Sequence, residues 1–287
     1  PDRDTENELR GVMELQPLPE EQPQKQARLS RRPKIYEHHV DFAAMSAGLD
    51  AAQAKVVKAV NAVQKRQIAK LLELAGKVFE KGVTEGVEKI DVPYRQDVAD
   101  EVAATLKELY ALGRREAGKE FARQGLGLEA VNQPLDVGSE VAVFSFLALR
   151  ARSLANLMAD RLKSSFVWTM LSQIRAGAYD EPALKSTLGG LSDQETKKVA
   201  GSVVTEALNL GRQAVADEHK REIRMAVYSA LMDDATCSPC GEADGKEFVM
   251  DSAEMEEYRP PYRECAGGGR CRCVLVFLLQ SEQPSRV

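Results

Sequence analysis

All five cysteines of the 287-residue chain fall between Cys237 and Cys273. The run DDATCSPCGEADGKEF, from Asp233 to Phe248, sets Cys237 and Cys240 in a CxxC turn, a spacing that lets two thiolates point at one centre as in a zinc knuckle. After a connection of 24 residues come Cys265, Cys271 and Cys273, which offer a second ligand pair for a tetrahedral site and leave one thiol over. On a strand Cys271 and Cys273 would share a face, so either could be the fourth ligand. The metal candidates are therefore Cys237, Cys240, Cys265, Cys271 and Cys273. Clustered thiols in odd number, in a chain with no visible secretion signal, suit a metal better than a disulfide framework. A disulfide or redox pair and unligated thiols remain the other readings of the cluster. Four thiolates around zinc leave no position for water, so such a site staples the fold rather than catalysing hydrolysis.

Other catalytic patterns are weak. Pro239 and Cys240 begin a zinc-deaminase phrase, but Gly241 to Ala243 lack its second cysteine and His219 is not in an H-x-E context. His38 and His39 lie in a polar arm, and no G-x-S-x-G elbow occurs. No enzymatic activity is expected.

The elements that must position the cysteines follow from composition and period. With 44% hydrophobic and 6% aromatic residues, and Ala, Leu, Val, Glu and Lys dominant, the chain should fold and be mainly helical. Thirty-nine Lys and Arg against 44 Asp and Glu leave a net charge of −5, so there is no global basic surplus for nucleic acid. The longest uninterrupted apolar run, Cys273 to Leu279, has seven residues where about 18 would span a bilayer, and no membrane span is expected. The chain opens on Pro1 rather than methionine, which suggests processing or excision from something longer.

Residues 1–40, with five of the twelve prolines and no apolar period, read as an extended or disordered arm that could dock on a partner. From Phe42 to about Ile90 apolar residues recur at helical steps, and Lys55, Lys58, Lys65, Arg66, Lys70, Lys77 and Lys81 face only Glu73 and Glu80. That Lys-rich helix, 55–81, is either a solvated face or a contact for nucleic acid or an acidic protein surface. Pro93 ends the segment; a second helix carries Val98, Val102, Leu106, Leu109 and Phe121 up to Gly125 and Gly127. A third runs from about Ser139 through Val141, Leu147, Leu157 and Phe166 to Ile174, with Trp168 as a core or interface anchor. Gly189 and Gly190 read as a break, and Ser192 with Glu195 as a capping box opening a helix to about Arg221. Met225 to Met232 and Cys273 to Leu279 read as strands, the latter buried on both faces. The expected fold is mainly α: long amphipathic helices and a small α+β C-terminal lobe holding the cysteines. Its parts are the arm 1–40, a helical docking region 41–189, the lobe 190–280 and a tail 281–287.

Residues 190–280 resemble the phage Mu F-like minor head proteins, or phage head morphogenesis proteins. The resemblance is carried, in order, by Thr205, Glu206, Asn209, Gly211 and Arg212 on a helix; by Asp233, Thr236, Cys237, Cys240, Asp244, Gly245, Lys246 and Phe248; and by Pro260 and Pro261 before Cys271, Arg272, Cys273 and Val274. Family members commonly carry a His three residues before the CRC tripeptide; here Cys265 stands six before Cys271, with Gly267, Gly268 and Gly269 between, and could replace that His. The resemblance implies a structural minor protein of a tailed bacteriophage or prophage head, made in the host bacterial cytoplasm and carried in the virion near the portal. Portal protein, scaffold or major capsid protein are its implied partners, and an oligomeric state in the virion, a part in DNA packaging or ejection, and fusion behind a portal domain are implied options. Whether Glu206 and Arg212 are catalytic the resemblance leaves open; the other reading is a buried ion pair or cap joining helix to strand.

The alternatives are a zinc-dependent enzyme and a zinc-binding nucleic-acid module. Against the second, Thr236 to Cys273 holds five Lys and Arg against eight Asp and Glu, a balance that repels phosphate.

Overall fold

A computed structural model describes residues 39–81, 87, 89–127, 137–230, 236–267 and 271–280, with side chains for all of these but 81, 137–139, 191–195, 198 and 199. The arm up to His38, Asp233, Gly268, Gly269 and the tail 281–287 lie outside them. Helices make up 71% of the described residues, so the mainly-α expectation with a small α+β end holds.

Four long helices come first: α1 (Phe42–Lys81), α2 (Arg95–Arg123), α3 (Val137–Ala176) and α4 (Glu181–Glu218). Asp41 opens α1 by accepting the Ala44 amide at 2.9 Å. α2 stops where Gly125, at φ 97, turns the chain and lets the Leu126 amide reach the Phe121 carbonyl at 3.0 Å. The third expected helix is present, but two of its residues read as core, Val141 and Leu157, are exposed, and Trp168, read as a core or interface anchor, is 75% exposed and so not in the core. Leu157 and Trp168 lie on the outward side of α3 and Val141 near its first turn, while Leu147, Leu154, Leu162 and Phe166 hold the inward side. By length and composition alone, Glu140–Ala176 is apolar enough to cross a membrane, as the core helix of a folded bundle also can be. A count of unbroken apolar residues stops at Arg150 and Arg152, whereas a longer stretch can absorb two charges and stay apolar on average.

α4 corrects a second expectation. The break at Gly189 and Gly190 does not occur, and no helix begins at Ser192, because Asp180 already caps the helix by accepting the Ala183 amide at 2.8 Å, with Pro182 in the first turn. Two exposed glycines cost the helix about 1 kcal/mol each. Leu184 and Leu188, both buried against α1 and α3 residues, hold the turns before them, and Ala200, Val203 and Ala207 hold those after. The 189/190 boundary is thus crossed by one continuous helix.

The lobe contributes β1 (Ile223–Ala230), the one-and-a-half-turn α5 (Ser238–Ala243), the two-residue β2 (Glu247–Phe248), α6 (Ala253–Glu257) and β3 (Cys273–Leu279). The sheet order is β2-β1-β3, all antiparallel, with Val227 opposite Val276 and Ala230 opposite Cys273. β3 matches its expected bounds and is buried throughout. Val274, Val276 and Leu278 face the core of α1 to α4, while Cys273, Leu275, Phe277 and Leu279 face the second core that contains the other cysteines. This alternation on two buried faces is what an unbroken apolar strand requires.

Candidate metal centre

The first thiol pair is set by α5. Cys237 is its N-cap, Pro239 stands in its first turn, and the Cys237 carbonyl accepts the Gly241 amide at 2.9 Å, so a single turn brings Cys240 alongside Cys237. Asp244 and Gly245 then aim the chain back at β1: an Asp244 carboxylate oxygen accepts the Ala230 amide at 3.0 Å. Gly245, at φ 86, donates to the Tyr228 carbonyl at 2.7 Å, and the Tyr228 amide donates to the Lys246 carbonyl at 2.8 Å. Phe248, Tyr258 and Tyr262 stack beyond, with ring centroids 5.3 and 4.6 Å apart, and carry the chain through Pro260 and Pro261 to Cys265. Cys271 comes two residues before β3.

The sulfur atoms of Cys237, Cys240, Cys265 and Cys271 lie within 4.8 Å of one another, three of the residues buried and Cys265 half-buried. The Cys237 and Cys265 sulfurs are 3.9 Å apart. Tetrahedral zinc with Zn–S bonds of about 2.3 Å needs sulfurs about 3.8 Å apart, so the donor set and its spacing fit such an ion. No disulfide joins any of the five cysteines. Cys273 stands outside the set. Cys271 precedes β3 rather than lying in it, and the close set takes in Cys271 and not Cys273.

The surroundings suit bound sulfur. The Cys237 amide donates to the Cys271 sulfur and the Tyr228 hydroxyl to the Cys240 sulfur, each at 3.4 Å. Burial pushes the Cys237 thiol up, but hydrogen bonds from the Cys240 amide and thiol, from Cys271 and from the Gly267 amide outweigh it and bring the group down to about 7. Cys271 is pushed far up by its hydrogen bond with Cys240 and by burial. Cys265 is pushed up by burial and by Cys271. Ligand thiols must shed protons to bind a cation, so binding at this set would be coupled to proton release.

The helix phrase serves the strand beside this centre. β3 is an edge strand, and α2 and α4 seal its open side with side chains. The Asn209 amide donates to the Cys273 carbonyl at 3.0 Å, and the Arg212 guanidinium donates to the Leu275 carbonyl at 2.9 Å. Glu120 accepts the Phe277 amide at 3.1 Å; Gln124 donates to the Phe277 carbonyl and accepts the Leu279 amide, both at 2.8 Å. Glu120 and Arg212, both fully buried, are themselves joined at 2.5 Å. Arg212 is therefore the buried ion pair and strand clamp that stood as one reading of it. Glu206 pairs with Arg150 at 2.7 Å and lines a 740 Å³ groove with Phe146, Leu210, Arg259 and Pro261. Arg272, between two cysteines, reaches Ser46 at 2.8 Å and Asp50, tying the lobe to α1.

Glu120, Gln124 and Tyr228 were not marked by the sequence. Their signals were a Glu and a Gln four residues apart at the end of an amphipathic helix, and a Tyr in the middle of a buried strand, neither of which names its partner. No protein-family model, no curated protein and no solved structure matches the chain.

Proposed function

We propose that the chain is a structural minor head protein of a tailed phage or prophage, not an enzyme, and that its C-terminal lobe is closed by one zinc ion on Cys237, Cys240, Cys265 and Cys271. The observation that supports it most is the convergence of the three sequence phrases: Asn209 and Arg212 clamp the strand that follows Cys271, and Cys271 meets the CxxC pair. Four sulfur donors favour zinc over harder cations, and a closed thiolate set leaves no open position for substrate. When bound, zinc would cross-link α5, the loop after Pro261 and the segment just before β3; the protein's part is to supply the thiolates and amide hydrogen bonds. The protein would act in the head near the portal, with portal, scaffold or major capsid protein as partners. The acidic balance of the lobe disfavours the nucleic-acid module.

Two measurements test this. Native mass spectrometry of the full chain should find one zinc, with Cys273 as the one readily titrated thiol after unfolding under conditions that retain the metal; no metal and five titratable thiols would overturn the zinc reading. Deleting the gene in the host that encodes it should yield misassembled or empty heads, and particles of normal number and shape would overturn the head role.

A further inference from the structure

The sulfurs of the close set are not equally placed. Cys237, Cys240 and Cys271 are 7%, 0% and 3% exposed, and the spare Cys273 is 2% exposed, whereas Cys265 is half-buried between exposed Glu264 and Ala266. Solvent and small solutes therefore meet Cys265 first. It is also the member least held by its surroundings. Cys237 and Cys240 are set by α5, and Cys271 stands two residues before a strand gripped from the helices. Cys265 lies in neither helix nor strand, and its amide donates to the Tyr262 carbonyl at 2.9 Å in a turn. Its sulfur is 3.9 Å from that of Cys237, which stands in extended backbone at the cap of α5, outside the body of the helix. Cys240, by contrast, lies within α5 under the Tyr228 hydroxyl.

We propose that the centre is also a peroxide-sensitive switch, in which hydrogen peroxide oxidises Cys265, Cys237 closes a disulfide with it, and the ion is released while the helix clamp keeps β3 in place. This rests on the zinc site proposed above. In the first step one peroxide oxygen passes to the Cys265 sulfur, the O–O bond breaks, and the other oxygen leaves as hydroxide. In the second the Cys237 thiolate attacks the Cys265 sulfur of that sulfenic acid; the S–S bond forms as the S–O bond breaks, and a second hydroxide leaves. Two protons from solvent turn the hydroxides into water, and the two sulfurs supply the two electrons that the peroxide takes up. Cys240 and Cys271 remain, and two thiolates do not complete a tetrahedral set. The product differs from a lobe stripped by a chelator. Its disulfide still joins the loop after Pro261 to α5, and only the segment before β3 loses its link to both.

The test is titration of the full zinc-loaded chain, freed of reductant, with hydrogen peroxide. Released zinc is read with a colorimetric indicator, and the disulfide is located by mass spectrometry of peptides after free thiols are blocked. Expected are one Cys237–Cys265 disulfide for each ion released, recovery of the thiols and the ion on adding dithiothreitol and zinc, and amide exchange across residues 236–267 that rises less than after a chelator. Cys265→His keeps a zinc donor at that place without its sulfur and should slow release about tenfold or more. Cys273→Ser should release the ion at the unsubstituted rate. Should Cys265→His not hold the ion, the disulfide map of the unsubstituted chain decides. An ion retained in excess peroxide, release with Cys265 still a free thiol, a disulfide that joins any other pair, or release from Cys265→His as fast as from the parent would each overturn the switch and leave the zinc site standing. A chain that holds no zinc before peroxide is added would overturn both.

Discussion

Gly113 of α2 and Gly211 of α4 lie against each other's helix backbone. A Cβ on Gly113 would come closer than 3.0 Å to the Leu208 carbonyl oxygen, and one on Gly211 would do the same to that of Tyr110. The two helices cross here at the smallest separation their backbones allow, and this approach lets Glu120 and Arg212 reach the same strand. Gly113→Ala or Gly211→Ala should each destabilise the protein by about 2 to 3 kcal/mol, because backbone cannot yield as a side chain can. Gly189→Ala and Gly190→Ala, whose Cβ positions are open, should each stabilise by about 1 kcal/mol. Chemical denaturation of the four variants checks both signs.

The Glu120–Arg212 pair sets the second prediction. Arg212→Met leaves a fully buried carboxylate without its counter-charge and strips the Leu275 carbonyl of its donor. The expected cost is about 3 to 5 kcal/mol. Adding Glu120→Leu should cost less than the sum of the single changes, because the second substitution removes the charge that the first left exposed to the apolar core. A double-mutant cycle in urea measures the coupling.

Some of this was legible from residue type alone. β3 could be bounded to the residue, because seven apolar positions in a row admit few other readings, and the CxxC turn announced its own geometry. The start of α4 could not. A Gly-Gly pair and a Ser-x-x-Glu box are local signals for a boundary, but the helix is held by Leu184 and Leu188 packing on distant residues, which no local pattern records. For Trp168 the two readings, core or interface anchor, could not be told apart, because size and apolarity predict burial without saying against what; its exposure removes only the first. The fourth ligand was open because it depended on where β3 begins, and the strand starts only at Cys273, two residues after Cys271.

The Lys-rich stretch of α1 should not bind duplex DNA at physiological salt. Lys55 meets Glu108 at 2.6 Å and Arg66 meets Asp97 at 2.9 Å, while Lys70 and Lys77 share Glu73 at 2.7 and 3.1 Å. Four of the cations that gave the face its surplus are thus already engaged by carboxylates, two of them from α2. Such exposed pairs add little stability, but they lower the potential that a phosphate backbone would meet. Fluorescence anisotropy with a labelled duplex should show no saturable binding, and Glu73→Gln with Glu108→Gln and Asp97→Asn should restore a weak, salt-sensitive interaction.

The proposed zinc site divides the five thiols into four ligands and one spare, and substitution separates them. Cys237→Ser, Cys240→Ser or Cys271→Ser deletes one donor of the four, and each should lose the ion. Cys273→Ser should keep one ion per chain, since its sulfur lies outside the set. In the intact protein a strong chelator should accelerate amide exchange first across residues 236–267, where short elements and stacked rings have little core of their own. β3 should lag behind, because Asn209, Arg212, Glu120 and Gln124 grip it from the helices whether or not the ion is present. Ligand thiols must shed protons to bind, so retention of the ion should fall as pH falls. An ion lost from Cys273→Ser and kept by Cys271→Ser would move the fourth ligand into the strand, and exchange that rises equally in β3 would show that the metal, not the helix clamp, holds the sheet.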